Sequence, residues 1–220
     1  WAMTDLIAVA VNVDGGFDIK AVTMTDGMFP VLVYGDALDK KDIKVGMMEV
    51  SVSNFLIDEW LGDSYNIEKV FITEIPARLA AIQSGQLDMG LFPEPVASMG
   101  ELSGLKKKVF EPEDGYCPDV LAFTGKALKE KEEAIKLFLE AYDRAIEDLR
   151  QRPQEARDIL MEKIPNVAPE VRDLMVLPEY KKASLPDDGY LKKVIDWTAA
   201  TVKKNMQVTA DELVERKFVE

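Results

Sequence analysis

The stretch Val70-Phe71-Ile72-Thr73-Glu74-Ile75-Pro76-Ala77-Arg78-Leu79-Ala80-Ala81-Ile82-Gln83-Ser84-Gly85-Gln86-Leu87-Asp88-Met89-Gly90-Leu91-Phe92-Pro93-Glu94-Pro95 decides the fold. The β-branched and aromatic run Val70 to Thr73 predicts a strand. Pro76 sits where a helix starts and Gly85 where it ends, so Ala77 to Ser84 is a helix bounded by the expected pair of residues. A second strand, Leu87 to Phe92, then runs into Pro93-Glu94-Pro95, and another helix follows. The unit is a βαβ element with a carboxylate at its exit.

Working upstream, Ile43 to Val50 reads as a strand, and Ser51-Val52-Ser53-Asn54 supplies N-cap oxygens for a helix from Phe55 to Leu61. Strand, polar cap and helix make a second junction able to hold a ligand, because a helix start presents unsatisfied N–H groups. Downstream, Ile135, Phe138, Leu139, Tyr142, Ala145, Ile146 and Leu149 recur at helical spacing and predict one long helix over Lys129 to Arg150. Gln154 to Lys163, Pro169 to Met175 and Tyr190 to Asn205 carry the same one-faced apolar stripe. The whole is an α/β chain with largely parallel strands. Lys106-Lys107-Lys108, the one sharp basic run, reads as a solvated strand start.

Composition removes several function classes. Forty Asp and Glu against 27 Lys and Arg give a net charge of -13, which repels phosphate backbones and anionic lipid, so nucleic acid is not an expected partner. Apolar runs such as Leu6 to Val11 and Phe29 to Val33 fall far short of the ~20 residues that span a bilayer, so this segment is not expected to insert directly into a membrane. Cys117 is the only cysteine and there is no histidine, which excludes an internal disulfide, histidine-based triads and bases, and nearly all zinc sites. No catalytic residue, cofactor or metal is expected, and the chain is read as a binding protein rather than an enzyme.

The segment Glu74 to Pro95 resembles a signature region of ABC-transporter solute-binding proteins, most of all the NMT1/THI5-like and sulfonate/nitrate-binding (SsuA-like) group. Met3-Thr4-Asp5-Leu6 is similar to that group's strand-to-helix junction, and Gly15 to Val22 to the strand that follows. Lys136 to Ala145 is similar to the long helix after the return crossover. The resemblance covers essentially the whole chain.

It implies a type II periplasmic-binding-protein fold: two α/β lobes joined by two crossover strands, with a solute trapped between them and the closed form presented to an ABC permease in the membrane. The crossovers are expected near Phe29 to Asp36 and near Tyr116 to Thr124. Residues 37–115 would then form lobe II, and 1–36 with 116–220 lobe I. The resemblance further implies roughly 70 residues ahead of Trp1, without which lobe I is incomplete at its N-terminus and has an open sheet edge. The expected location is periplasmic or on the cell surface, as a lipoprotein or secreted protein, although Trp1-Ala2-Met3 carries no signal or anchor.

Ligands of open α/β sheets sit at the carboxyl ends of strands. That rule selects Thr4 and Asp5, Thr25 and Asp26, and Ser51, Ser53 and Asn54, each of which also has a capping or turn role to play. Glu94, held between two prolines, is a candidate acceptor for an amino or ring N–H group, and Tyr116 a candidate stacking partner beside the hinge. With Asp119, these give a carboxylate-rich set without a well-placed lysine or arginine, so a neutral or cationic solute, such as an amino-heteroaromatic or thiamine-precursor-like compound, is expected rather than an anion. Cys117 is read as an inert small side chain, and Trp60 and Trp197 as core.

Related sequences of the same fold include a pyrimidine-synthesising enzyme of thiamine biosynthesis, menaquinone-pathway enzymes and the effector domains of sensors. The first relies on histidine and a cysteine-rich motif that this chain lacks. A further alternative is an interaction protein whose cleft is occluded.

Overall fold

Asp5 ends the first strand, β1 (Ala2–Asp5), and starts the first helix, α1 (Leu6–Asp14), by accepting the Ala8 N–H on Oδ1 at 2.7 Å. In this computed structural model, which describes residues 1–219, the same device recurs: a strand ends, a short polar side chain caps the helix, and the helix covers the sheet. β2 (Ile19–Met24) and β3 (Val31–Val33) precede a single 3-10 turn at Ala37–Asp39. Then come β4 (Asp42–Met47), α2 (Val52–Leu61), β5 (Asn66–Phe71), α3 (Ile75–Gln83), β6 (Met89–Leu91), α4 (Val96–Leu102) and β7 (Lys106–Lys108). β8 (Asp119–Thr124) leads into α5 (Gly125–Glu130), α6 (Glu132–Gln151), α7 (Pro153–Lys163), α8 (Val171–Leu174), α9 (Asp188–Val202) and α10 (Ala210–Leu213).

The strands form two sheets, β1-β8-β2 and β5-β4-β6-β3-β7. Chain direction differs from the largely parallel expectation. Only β4 pairs in parallel, with β5 and β6; β3 and β8 run antiparallel to both of their neighbours. The reason is topological. Each of these strands enters its sheet directly from the other one, after Thr25 to Pro30 and after Val109 to Pro118, with no crossover helix to reverse its direction. β3 lies inside the segment expected to cross between lobes, and it is hydrogen-bonded on both sides within the five-stranded sheet.

The deciding βαβ unit forms with shifted bounds. Its first strand starts at Asn66 rather than Val70, because Asn66, Ile67, Glu68 and Lys69 already pair in the parallel ladder with Asp42, Ile43, Lys44 and Val45 of β4. Gly85 ends α3 at φ 73°, the left-handed conformation that an L side chain rarely adopts. The long helix expected from Lys129 is instead two, broken at Lys131, whose φ of -129° and ψ of 29° lie outside the helical region.

Three apolar layers follow. Leu32, Ile82, Leu87 and Phe92 fill the space between the five-stranded sheet and α3 and α4, and Val22, Leu121, Phe123, Ile135 and Leu139 that between the three-stranded sheet and α5 and α6. The largest layer joins the two sheets: Phe55 of α2 meets Trp197 and Tyr190 of α9 edge-on, at 5.4 and 6.3 Å between ring centres. Trp197 Nε1 donates to Asp58 Oδ2 at 2.9 Å across the same contact. No helix among the described residues is long and apolar enough to cross a membrane.

Candidate functional site

Antiparallel pairing of β1 with β8 sets Asp5 opposite Asp119. Asp5 Oδ1 is engaged by Ala8, and Oδ2 accepts the Val52 N–H at 3.1 Å, from the first turn of α2 in the other sheet's layer. One carboxylate thus bridges two strand-to-helix junctions. Burial raises the Asp5 pKa, and the backbone donors of Ala8, Val52 and Ile7 work against that rise.

Asp119 has no such relief. No donor reaches its carboxylate among the described residues, and burial, followed by the charge of Asp5, pushes its pKa up to about 8. The end of β2 closes over it: Thr25 N donates to the Asp119 carbonyl at 3.0 Å, and a Cβ on Gly27 would lie 2.0 Å from Asp119 Oδ2, so only glycine allows this approach. Asp26, at φ 50°, accepts the Lys181 N–H on Oδ2 at 2.7 Å, and burial raises its pKa as well. Cys117 is buried beside these acids, and burial together with Asp119 holds its thiol well above the ordinary value, as an inert cysteine requires.

Ser51 caps α2. Its hydroxyl donates to the Met48 carbonyl at 3.1 Å, which leaves Ser53 as the donor in the 2.7 Å contact between the two hydroxyls. Ser53 Oγ in turn accepts from Met48 N at 3.1 Å. Both hydroxyl hydrogens are committed inside the loop. Asn54 donates to the Glu49 carbonyl at 2.6 Å, and its Oδ1 is buried without a partner.

The structure therefore brings Asp5, Thr25, Asp26, Asp119 and the Ser51 loop together. Thr4, opposite Val120, precedes Asp5 in β1, so strand alternation turns it to the other face. Tyr116 packs 4.9 Å from Tyr190, towards α9.

Glu94 is placed apart from that group. Its Oε2 accepts Ser98 N at 3.1 Å, and Oε1 accepts Val176 N at 3.1 Å and Lys107 Nζ at 3.4 Å. Lys107 corrects the reading of the basic run as solvated. Its side chain is 5% exposed and also binds Glu101 Oε2 at 2.6 Å and the Leu174 carbonyl at 2.6 Å. Strand alternation explains it, since Lys106 and Lys108 face outward and the middle residue of β7 faces in. Gly27 and Lys107, absent from the selected set, gave no local signal, because Gly27 acts on Asp119 of β8 and Lys107 on Glu94 and Leu174, 13 and 67 positions away.

Comparison with known proteins agrees with this architecture. The ligand-binding component of an ABC-type import system from Staphylococcus aureus superposes with a TM-score of 0.76 at 18% identity, over 99% of this chain and 78% of that one. The periplasmic aliphatic sulphonate binding protein SsuA from Escherichia coli gives 0.76 at 16% identity, over 97% and 74%. The periplasmic nitrate-binding protein NrtA from Synechocystis gives 0.65 at 11%, over 97% and 76%. No curated protein sequence matches the chain. The family described as NMT1/THI5 like matches residues 25–156, more than half of the sequence, and with the two-lobed binding-protein fold around it this chain belongs to that NMT1/THI5-like family.

Proposed function

We propose that the chain is the extracytoplasmic solute-binding component of an ABC importer, and that it closes on a small organic solute between two lobes before docking on a membrane permease. The observation that carries this reading is the bond from Val52 N to Asp5 Oδ2, which ties the β1–α1 junction to the β4–α2 junction across the two sheets. In the lobe assignment that fits this picture, the connections Thr25 to Pro30 and Val109 to Pro118 are the hinge, and a solute gains contacts to both sides only when they close.

The chemistry of the seat favours a cation or an N–H-donating solute. Asp5 and Asp119 stand opposite one another, and Asp119 holds a proton that an arriving ammonium or amino-heteroaromatic ring would displace. The hydroxyls of Ser51 and Ser53, committed internally, act in this reading by fixing the start of α2, whose Val52 N–H holds the Asp5 carboxylate. Cys117 is too buried to serve as a nucleophile, and the mechanism needs no covalent step.

The test is a thermal-shift panel of aminopyrimidines, other thiamine precursors, polyamines, sulfonates and nitrate, followed by calorimetry. Saturable stabilisation by an amino-heteroaromatic compound, lost in Asp5→Asn, is the expected result. A response only to sulfonate or nitrate would overturn the cationic assignment, and no response to any solute from folded protein would overturn solute binding.

A further inference from the structure

A cavity of about 560 Å³ opens between α2, α9 and the segment Pro112 to Tyr116, and Tyr116 alone of the candidate cleft residues lines it. Its wall is acidic on both sides: Asp58, Glu59 and Asp63 from α2 and the turn after it, Glu113 and Asp114 from the segment that returns to β8. Asp58 is neutralised by Lys69 at 2.6 Å and held by Trp197. Lys193 bonds Glu59 and, at 3.0 Å, Asp114. Asp63 and Glu113 have no basic side chain within ion-pair distance among the described residues.

The rest of the wall is aromatic. The Lys193 ammonium lies 5.7 Å from the Phe55 ring centre and 5.9 Å from that of Tyr190, and Trp60, stacked on Phe110 at 5.5 Å, is a further ring of the wall. Tyr190 lines the cavity at 4% exposure, yet its hydroxyl meets no protein partner. A buried hydroxyl without a bond costs free energy that a ligand can recover. Burial, with Cys117, Asp114 and Glu59, holds that phenol far above its ordinary pKa, so it stays a neutral donor and acceptor.

We propose that this cavity is a second binding site, for an organic polyamine, in which Lys193 already shows how one ammonium is held: carboxylates to its sides and ring faces over it. Aliphatic amines suit the wall better than a metal ion does. Aromatic faces attract an ammonium and its methylene stem, whereas a divalent cation takes clustered oxygen ligands, and no group of three metal-ligating side chains exists among the described residues. The site joins α2 to α9, so an occupant bridges the two layers and stabilises the closed arrangement.

Spermidine is the probe, titrated calorimetrically into the whole chain at a fixed ionic strength of about 0.15 M, which screens the general attraction of the acidic surface. Saturable one-site binding is expected, about tenfold weaker in Asp63→Asn/Glu113→Gln, whose side chains support no other residue, and severalfold tighter in Lys193→Met, which vacates the seat. Glu133→Gln, on the exposed face of α6, is expected to leave this binding unchanged. The proposal is overturned by no saturable binding, by equal affinity in the double variant, by weaker binding in Lys193→Met, or by a loss confined to Asp5→Asn, which would assign the amine to the cleft. Melting temperatures of each variant verify that it is folded.

Discussion

Asp5 and Asp119 stand opposite one another in β1 and β8, and they divide the proton between them unequally. Asp5 accepts backbone N–H groups at both oxygens, which favours its charged form. Asp119 receives none and lies against Asp5, so Asp119 is the member of the pair that stays protonated near neutral pH, with a pKa of about 8. A carboxylate kept neutral without a bonding partner is a cost to the fold that serves no packing purpose.

The stability of the protein should therefore fall as pH rises. The folded pKa of Asp119, about 8, exceeds its ordinary value of 3.8, so between them the folded state binds more protons than the unfolded chain. Stability from this group is lost as pH climbs through that window, by at most ~1.4 kcal/mol per pH unit. Asp119→Asn, which mimics the neutral acid, should melt like the wild type near pH 4 and above it near pH 8. Equal melting temperatures at both pH values would remove the buried proton from the account.

Cation binding should move the opposite way. An ammonium beside Asp119 needs the carboxylate ionised, so affinity for a cationic solute should rise between about pH 6 and pH 8, by up to about tenfold per unit while one proton is released. The slope should vanish in Asp119→Asn, with affinity uniformly low. Calorimetry in buffers of different ionisation enthalpy counts the proton directly, and a count of zero across this range would contradict the linkage.

The fold was legible where chemistry is local. Pro76 and Gly85 bounded α3 to within a residue or two, Ser51 capped α2, and Asp5 ended one element and began another, because each acts through neighbours three or four positions away. The directions of β3 and β8 were not, since an antiparallel entry depends on which sheet the chain has just left. Among the candidate site residues, Asp5 and Asp26 were selected by position at strand ends. Glu94 was found by the same rule, but its partners Lys107 and Val176 come from β7 and from 82 residues onward, which no spacing rule anticipates.

Those partners change what a substitution at Glu94 does. Glu94 and Lys107 are buried together, at 8% and 5% side-chain exposure, so Glu94→Gln leaves a buried ammonium with one fewer counter-charge. A loss of about 1–3 kcal/mol in unfolding free energy is expected: the single oxygen of a Gln amide accepts from Ser98 or Val176 but not from both, while Glu101 still faces Lys107. Denaturant titration measures it. An unchanged midpoint accompanied by a loss of solute affinity would return Glu94 to the ligand site.

Gly27 offers the sharpest link between packing and binding. A methyl there would lie 2.0 Å from Asp119 Oδ2 and 2.9 Å from its Cγ, with the Phe29 ring at 3.1 Å on the other side. The ring leaves the methyl no room to move aside, so Gly27→Ala must turn the Asp119 carboxylate out of its place, at a cost of about 1–3 kcal/mol. Shortening the clashing partner should relieve it: Gly27→Ala/Asp119→Ala should be more stable than Gly27→Ala alone, a non-additive result expected of atoms in contact. Solute affinity should stay low in both, because the carboxylate is displaced in one and missing in the other. If Gly27→Ala kept full affinity for the cationic solute, the Asp119 carboxylate would not be one of the groups that hold it.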